Sequence, residues 1–410
     1  MHSNSKAIAL TFAAASLFLA TQAGAQSMGL APAWAKAMQV GTWAPVSQNR
    51  LADVDPAKDP AANPVYPNMP QWTGNNGHAC VIECWNGGAF ATRLGPKGSL
   101  LAWGGGHKGY YGNEVYAFDM QTRVWTRLSN PYKTPAFPVT DGWWPDGSPA
   151  VPHTYAMVGY HAGTNSLVSM QTERDNAGGI VVPMLVFFDL SAKTWRRGPI
   201  APSHIQYGGW GVYDLSRDTW WMEGGDSGGN FGRYAMNGTG TAGTWTMYPP
   251  KFNYLDAMAE RDPVHDIIVT THFERDADMY GIDLTNPGSA PVLLTQGGSP
   301  PTRSGRHGWE WSPLRQAFIY WRAGGDVYQV KLAGSNWKTG TWVWERLTAP
   351  DNGVIPADPS PGVYNRFRLA TYDDAEVAVV VNSTTGPVYA FRLPDGILVR
   401  PDPPGVFGAQ

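Results

Sequence analysis

A short aromatic segment followed by a tryptophan recurs along this chain of 410 residues, and this repeat most restricts the possible folds. In its two clearest copies the tryptophan lies six residues after an aspartate, as Trp125 after Asp119 and Trp195 after Asp189. Successive copies begin 70, 48, 46, 48 and 61 residues apart. A repeat of roughly 55 residues is typical of a four-stranded propeller blade. The six copies are Val115–Asp119, Leu185–Asp189, Arg233–Asn237, Met279–Asp283, Val327–Lys331 and Val388–Arg392.

The rest of each unit also has the pattern of a small β-sheet. Alternating segments such as Ala156–Tyr160 precede β-rich segments such as Ser166–Met170, and glycine pairs such as Gly324-Gly325 supply the positive φ of tight turns. No long segment of the mature chain has the 3.6-residue period of a helix. The sequence therefore predicts an all-β protein.

The first segment of the mature chain predicts how the ring closes. The sixth unit has three strand-like segments before the sequence becomes rich in proline, whereas Gly41–Val46 matches outer strands such as Gly340–Trp344. A strand at 41–46 would complete the last blade and leave no open sheet edge. We predict a kelch-like β-propeller of six blades, closed by this N-terminal strand, and the long first step leaves room for a seventh.

Residues 1–25 have the pattern of a bacterial signal peptide, with Lys6 before an apolar core at Ala7–Ala20 and small residues up to Ala25 at the cleavage site. We therefore expect residues 26–410 to form a single β-propeller domain that is periplasmic or secreted and monomeric. No second apolar segment is long enough to span a bilayer. The net charge of -3 gives no field that would attract nucleic acid, so any anion site must be local.

The two cysteines, Cys80 and Cys84, leave two states open. An oxidising compartment favours a disulfide. However, Val81–Glu83 between them has the composition of a strand, which would hold the two Cα atoms about 13 Å apart. A disulfide needs about 7 Å or less. The bridge forms only if this segment bulges or turns.

Histidines recur where the innermost strand of a blade is expected to begin. The residues at this position of the six units are His78, His153, His204, Tyr254, His307 and Phe367. Their side chains would meet around the mouth of the central channel, although a histidine at a strand start is often an ordinary turn residue. His107 follows three glycines, so a loop could bring it to the same place. The candidate catalytic residues are His107, His153, Tyr207 and His204.

Arginines and aromatic residues near the same positions could bind a glycan. The planar guanidinium group suits a carboxylate or sulfate, although surface arginines are also commonly paired with Asp or Glu. The proline-rich segment between the first two units has adjacent tryptophans that could form a stacking platform or pack against a blade edge. The candidates for substrate binding are His78, His307, Arg306, Arg366, Trp143, Trp144 and Tyr110.

The chain carries no specific metal or nucleotide motif. It lacks His-Glu-x-x-His, a paired Cys-x-x-Cys, a calcium loop, a phosphate loop, a Gly-x-Ser-x-Gly elbow and a dinucleotide fingerprint. The sequence therefore requires no cofactor and assigns no metal ligand. Converging histidines could still hold zinc or another divalent metal, because imidazole suits such ions.

The double glycines, tyrosines and spaced tryptophans resemble the kelch family of propellers, as in the central domain of galactose oxidase. The clearest copies run from Trp103 to Trp125 and from Tyr320 to Trp344, and the resemblance covers about residues 77–394. Secreted propellers resembling ulvan lyases use histidines, a tyrosine and an arginine near the channel mouth. The resemblance thus implies a polysaccharide lyase acting on an acidic, uronate-containing glycan, in which Arg306 would neutralise the carboxylate and His and Tyr groups would act as acid and base.

Other functions stay open. A non-catalytic glycan-binding propeller would keep the aromatic residues and arginines without needing the histidines. An oxidase resembling galactose oxidase would need a cysteine crosslinked to a tyrosine and a further C-terminal domain. A sugar hydrolase or epimerase is also compatible with the scaffold, but its carboxylate candidates are scattered: Asp226, Asp256, Glu310 and Asp326.

Overall fold

The structure is a computed structural model, and it describes residues 28–59, 74–106, 109–132, 141–171, 183–202, 208–225, 230–252, 256–272, 278–301 and 306–395. In these residues six small sheets, each built from antiparallel strands, are arranged in a ring. The innermost strands of neighbouring sheets contact each other around the whole ring. The protein is therefore a six-bladed β-propeller, as the repeat predicted.

The strands, in chain order, are β1 (Trp43–Pro45), β2 (Gly88–Ala91), β3 (Ser99–Ala102), β4 (Tyr116–Asp119), β5 (Val124–Arg127), β6 (Val158–His161), β7 (Ser166–Gln171), β8 (Met184–Asp189), β9 (Thr194–Ile200), β10 (Trp210–Asp214), β11 (Thr219–Glu223), β12 (Phe231–Ala235), β13 (Thr244–Tyr248), β14 (Met258–Asp262), β15 (Ile267–Thr271), β16 (Met279–Asp283), β17 (Val292–Leu293), β18 (Thr295–Gly298), β19 (Gly308–Ser312), β20 (Ala317–Trp321), β21 (Tyr328–Ala333), β22 (Thr341–Arg346), β23 (Arg368–Thr371), β24 (Glu376–Val380) and β25 (Tyr389–Arg392).

Blades 1 to 4 are the sheets β2–β5, β6–β9, β10–β13 and β14–β17, each in chain order from the innermost to the outermost strand. Blade 5 contains β19–β22, and β18 adds a fifth strand that pairs with β22 in parallel. Blade 6 contains β23–β25 and β1. The described part of the long connection between β5 and β6 (residues 128–157) forms no additional blade.

The repeated aromatic segment is the third strand of each blade, and the tryptophan that follows it is on the fourth strand. Phe118 of β4 is opposite Trp125 of β5, and Phe188 of β8 is opposite Trp195 of β9. The ring centroids in these two pairs are 5.4 and 5.0 Å apart. Directly opposed aromatic side chains stabilise an antiparallel pair. The six-residue spacing therefore reflects a tight hairpin that brings the two rings together.

The N-terminal strand closes the ring, as predicted for residues 41–46. In blade 6, Trp43 of β1 is paired with Phe391 of β25. The Trp43 ring also contacts Trp321 of blade 5, at 5.2 Å between centroids, and its indole N–H donates to the carbonyl of Gly325 at 3.0 Å. Because Trp43 is fully buried between two blades, this strand both completes one sheet and seals the contact with its neighbour.

The described helical structure is short and lies outside the blades. It comprises α1 (Ala33–Ala37), α2 (Cys80–Glu83) and 3₁₀ turns at Leu51–Val54, Pro56–Lys58 and Gly77–Ala79. No helix in the described part of the chain has the length and apolar character needed to cross a membrane.

The prediction of a strand between the two cysteines was wrong. Cys80 begins a single helical turn, which brings its Cα atom to 4.7 Å from that of Cys84, and the two sulfur atoms are bonded. Val81 and Ile82 are fully buried in this turn, so their side chains reach the core without a strand. The three residues Val81–Glu83 are too few to show a helical period. The prediction therefore rested on the β-branched side chains of Val81 and Ile82, which favour strands.

Candidate functional site

Each innermost strand begins shortly after a residue whose backbone is left-handed, and these residues surround one end of the channel. Only glycine adopts this conformation without steric cost, and for other residues the cost is roughly 1–2 kcal/mol each. Strained residues of this kind cluster at functional sites. We call this end of the channel the mouth. The residues, with φ between 44° and 69°, are Trp85, Tyr155, Gly208, Asp256, Arg306, Tyr364 and Asn365.

The strain at the mouth is distinct from that of ordinary turns. The remaining described left-handed residues other than glycine lie in hairpin turns at the opposite end of the blades, where such a backbone matches the twist of the two strands. They are Arg123, Asn165, Lys193, Asp218, Asn237, Asp266 and Gln316. At the mouth no hairpin requires the conformation, so other contacts must hold it.

Asp256 joins two other mouth residues. One of its carboxylate oxygens accepts from Nε and Nη2 of Arg306, both at 2.8 Å, and the other accepts from the hydroxyl of Tyr364 at 2.9 Å. Burial, reinforced by the charge of Asp256, raises the pKa of Tyr364, so the phenol remains protonated and donates. A quarter of the Arg306 side chain remains accessible. The mouth thus contains an oriented guanidinium group at its surface.

Tyr155 and His153 of blade 2 connect Tyr364 to a residue of blade 1. The ring of Tyr155 makes edge contacts with Tyr364 and with His153, both at 5.9 Å between centroids. His153 in turn packs against Trp85 at 5.2 Å, with 32° between the rings. Gly87 lies between the carbonyls of the two tyrosines, and a Cβ there would come within 2.2 Å of the Tyr155 oxygen. Only glycine therefore permits this approach.

The six side chains Trp85, His153, Tyr155, Asp256, Arg306 and Tyr364 form what we call the mouth cluster. The group comes from blades 1, 2, 4, 5 and 6, so no local sequence pattern contains it. His153 and Arg306 were predicted site residues, and the structure brings them into one cluster. No sequence pattern indicated Trp85, Tyr155 or Tyr364. A positive φ at an aromatic residue leaves no mark on composition, and the left-handed positions before the inner strands carry several residue types.

The other histidines predicted at the mouth are found in different surroundings or lie outside the described residues. His307 directly precedes β19, and its Nε2 is 2.7 Å from the hydroxyl of Thr271, while its ring packs on Tyr320. His78 lies ten residues before β2, in a 3₁₀ turn. His153 and His307 are therefore not equivalent positions, because one lies two residues before a left-handed residue and the other directly after one. The predicted residues outside the described part are His107, His204, Tyr207 and Tyr254.

His78 and Tyr110 belong to a buried polar network of blade 1. The hydroxyls of Tyr110 and Tyr116 both donate to the same oxygen of Glu114 at 2.6 Å, and Nε2 of His78 lies 2.8 Å from the Tyr116 hydroxyl. Because Tyr116 donates to Glu114, its oxygen accepts from His78, which places the imidazole proton on Nε2. Burial raises the pKa of Glu114 and lowers that of His78 to about 4. The imidazole is therefore neutral at physiological pH.

The guanidinium group of Arg366 is fully buried. It donates to the backbone carbonyls of Asn86, Gly362 and Val381. Burial lowers the pKa of Arg366 to about 10. These contacts join blade 6 to blade 1, and they hold the charge below the surface.

Trp143 and Trp144 are buried as well, at 5% and 4% exposure. The indole N–H of Trp143 donates to the sulfur of Met184, and Arg197 covers its ring at 4.7 Å. Trp144 stacks on Tyr132 at 5.3 Å. The two tryptophans thus pack against the blades, which was the alternative to a stacking platform.

Two carboxyl groups below the mouth have raised pKa values. Glu260 in the middle of β14 and Glu310 in the middle of β19 interact, and Glu310 also binds the guanidinium of Arg368 and the N–H of Leu369. Burial, with the charge of Glu310, raises the pKa of Glu260 to about 8. The sequence analysis named Glu310 as a scattered candidate and missed Glu260. Their proximity depends on two blades meeting at the channel, which spacing along the chain does not reveal.

Among the described residues, no three His, Cys, Asp or Glu side chains are grouped so that they could hold a metal ion. His107 and His204 lie outside that part of the chain, so a histidine-bound zinc or other divalent ion stays a prediction.

The fold and the mouth cluster define the protein as a six-bladed propeller with a candidate site at one end of the channel. The chain matches no protein-family model. It also matches no curated protein. A solved structure with a similar fold is a structural genomics protein of unknown function from Bacteroides thetaiotaomicron, with 9% identity and a TM-score of 0.48 over 86% of this chain and 76% of that chain.

Proposed function

We propose that this protein is a secreted polysaccharide lyase that cleaves a uronate-containing glycan by β-elimination at the mouth. The observation that carries the proposal is the mouth cluster, in which an imidazole, phenols and an accessible guanidinium group come together on a strained backbone. These are the groups that the reaction uses. The predicted signal peptide and the kelch-like sequence motifs add support for a secreted propeller that acts on acidic glycans.

The chemistry needs three roles. A cation neutralises the uronate carboxylate and makes the neighbouring C5 proton more acidic. A base removes that proton. The electron pair of the C5–H bond then forms the C4=C5 double bond as the C4–O4 bond breaks. An acid then protonates the departing O4.

We assign these roles to the mouth cluster. Arg306 would bind the carboxylate, because Asp256 fixes the orientation of its guanidinium group and part of the side chain is accessible. His153 and Tyr155 are buried at the base of the mouth, at 3% and 8% exposure, and once the glycan has entered the mouth His153 would remove the C5 proton and the Tyr155 hydroxyl would protonate O4. His107, His204 and Tyr207 lie outside the described residues, and their predicted acid–base roles belong to the same proposal.

The test uses a panel of acidic polysaccharides (ulvan, alginate, polygalacturonate and glucuronan) and follows the ultraviolet absorbance of the unsaturated product. We expect cleavage of at least one glycan, and a rate reduced by about 100-fold or more in His153→Ala. Arg306→Ala should raise KM and also lower kcat for the same glycan, because it removes both carboxylate binding and the charge that makes the C5 proton more acidic.

The matched control is His265→Ala. His265 pairs with Asp262 in a hairpin turn at the opposite end of the blade, so its loss should leave the rate unchanged. If no glycan yields unsaturated product, the lyase proposal is wrong. If cleavage occurs but His153→Ala retains the full rate, His153 is not the base.

A further inference from the structure

We propose that the indole of Trp85 is the platform on which a pyranose ring of the glycan stacks. This inference rests on the proposed function only in taking a carbohydrate as the ligand, and it holds for a neutral sugar as well as for a uronate. It assigns a binding role to a residue that the sequence patterns did not single out.

The first observation is exposure combined with location. Trp85 is 36% exposed, and among the described residues it is the one aromatic side chain in the group of exposed large apolar residues. A single exposed apolar residue is common on any protein surface. Trp85 differs because it lies at the mouth, between the disulfide and His153.

The second observation is the strained backbone of Trp85. A surface tryptophan ordinarily has a negative φ, whereas the φ of Trp85 is +55°. A bulky residue remains in this region only where its neighbours over-determine it.

Three contacts fix the segment around Trp85. Cys84, directly before it, is bonded to Cys80. The carbonyl of Trp85 accepts from the N–H of Tyr155 at 2.8 Å. Asn86, directly after it, is fully buried and bonded to the carbonyl of Cys80 and the N–H of Thr154. The side chain is thus accessible while its backbone is held rigidly from both sides.

The geometry suits a flat apolar ligand beside polar groups. The buried imidazole of His153 packs against the indole, inclined by 32° with 5.2 Å between the ring centroids, so it supports the indole while part of Trp85 stays exposed. An indole offers a large apolar face with little conformational freedom to lose. A pyranose presents a ring face of C–H groups to such a surface and keeps its hydroxyls at the rim. A sugar on Trp85 would bring its next neighbour in the chain over His153 and Tyr155.

The experiment measures binding rather than cleavage, by native affinity electrophoresis in gels that contain one polysaccharide each. Acidic gels contain ulvan, polygalacturonate, alginate or glucuronan, and neutral gels contain xylan or mixed-linkage glucan. We expect Trp85→Ala to raise the dissociation constant at least about tenfold. Trp85→Phe should lie between this variant and the natural protein, because it keeps a smaller aromatic face.

The matched control is Trp337→Ala. Trp337 is partly buried in the hairpin between β21 and β22, which lies at the end of the blades opposite the mouth, and it packs against Gly281 and Lys338. Its loss should leave retardation in every gel unchanged. Circular dichroism and urea unfolding of all variants establish that they are folded, and Trp85→Phe provides the comparison if Trp85→Ala does not fold.

The outcomes separate the two proposals. Loss of binding to an acidic glycan in Trp85→Ala but not in Trp337→Ala supports the platform. Loss of binding to neutral glycans alone supports the platform and contradicts a uronate substrate. Binding that is unchanged in Trp85→Ala overturns the platform and leaves the lyase proposal intact. If the natural protein is retarded in none of the gels, both proposals are wrong.

Discussion

At the scale of single residues, burial decides the protonation of several carboxyl groups, and Glu223 is the clearest example. One of its oxygens accepts from the N–H groups of Lys251 and Phe252, and the other oxygen is also buried. Burial raises the pKa of Glu223 to about 8. The side chain is therefore protonated at neutral pH, and ionising it requires a charge in an apolar environment.

Glu223→Gln should change how stability depends on pH. A carboxyl group whose pKa is raised in the folded state stabilises the fold fully below its unfolded pKa, and this contribution is lost as the pH rises through the folded pKa of about 8. One such group lowers the free energy of unfolding by up to about 1.4 kcal/mol per pH unit across that window. Urea unfolding between pH 5 and 9 should show that the free energy of unfolding declines less with rising pH in the variant than in the natural protein.

The matched control for Glu223 is the exposed Glu345, which hydrogen-bonds to Gln329 on the surface of blade 5. Glu345→Gln should leave the pH dependence unchanged. An equal decline in the natural protein and in Glu223→Gln would contradict a protonated Glu223.

At the scale of secondary-structure elements, the sequence predicted the strands well and the loops poorly. Opposed pairs such as Phe118 and Trp125 repeat because every blade has the same hairpin, and the N-terminal strand resembles the outer strands it joins. The residues that lead into the inner strands are different in each blade. His153 and His307 were aligned by type, yet backbone conformation, which composition does not encode, shows that they occupy different positions.

The turn closed by Cys80 and Cys84 is the element that holds Trp85. Replacing both cysteines by serine should release this turn and weaken glycan binding about two- to tenfold, because the indole must then be immobilised when the ligand binds. Affinity electrophoresis measures the loss, and acrylamide quenching of tryptophan fluorescence should increase. Reduction of the natural protein should reproduce both effects. Unchanged affinity in the double variant would show that the disulfide does not position Trp85.

At the scale of the whole molecule, two arginines of blade 6 hold the ring together. Arg366 reaches the carbonyl of Asn86 in blade 1. Arg368 reaches further, because its guanidinium group donates to the carbonyls of Gly88 in blade 1 and Val158 in blade 2 and pairs with Glu310 of blade 5. The sequence suggested an anion-binding role for Arg366. The partners of the two arginines are up to 280 residues away, and only closure of the ring brings them together.

Arg368→Leu should therefore be among the most destabilising single changes in the protein. It removes hydrogen bonds to two blades and leaves the carboxylate of Glu310 buried without its cation, and breaking a buried pair in this way costs about 3–5 kcal/mol. Urea unfolding measures the loss, which should be larger at pH 9 than at pH 6, because Glu310 can take up a proton at the lower pH.

Two further variants separate the ring contacts of Arg368 from a general effect of losing an arginine. Arg346 pairs with Asp326 at the surface, with 47% and 42% of the side chains accessible, so Arg346→Leu should cost less than about 1 kcal/mol. Adding Glu310→Gln to Arg368→Leu should restore part of the lost stability, because it removes the carboxylate that was left without its cation. If both arginine variants cost the same, the contacts of Arg368 across the channel do not hold the blades together, and closure depends chiefly on the pairing of β1 with β25.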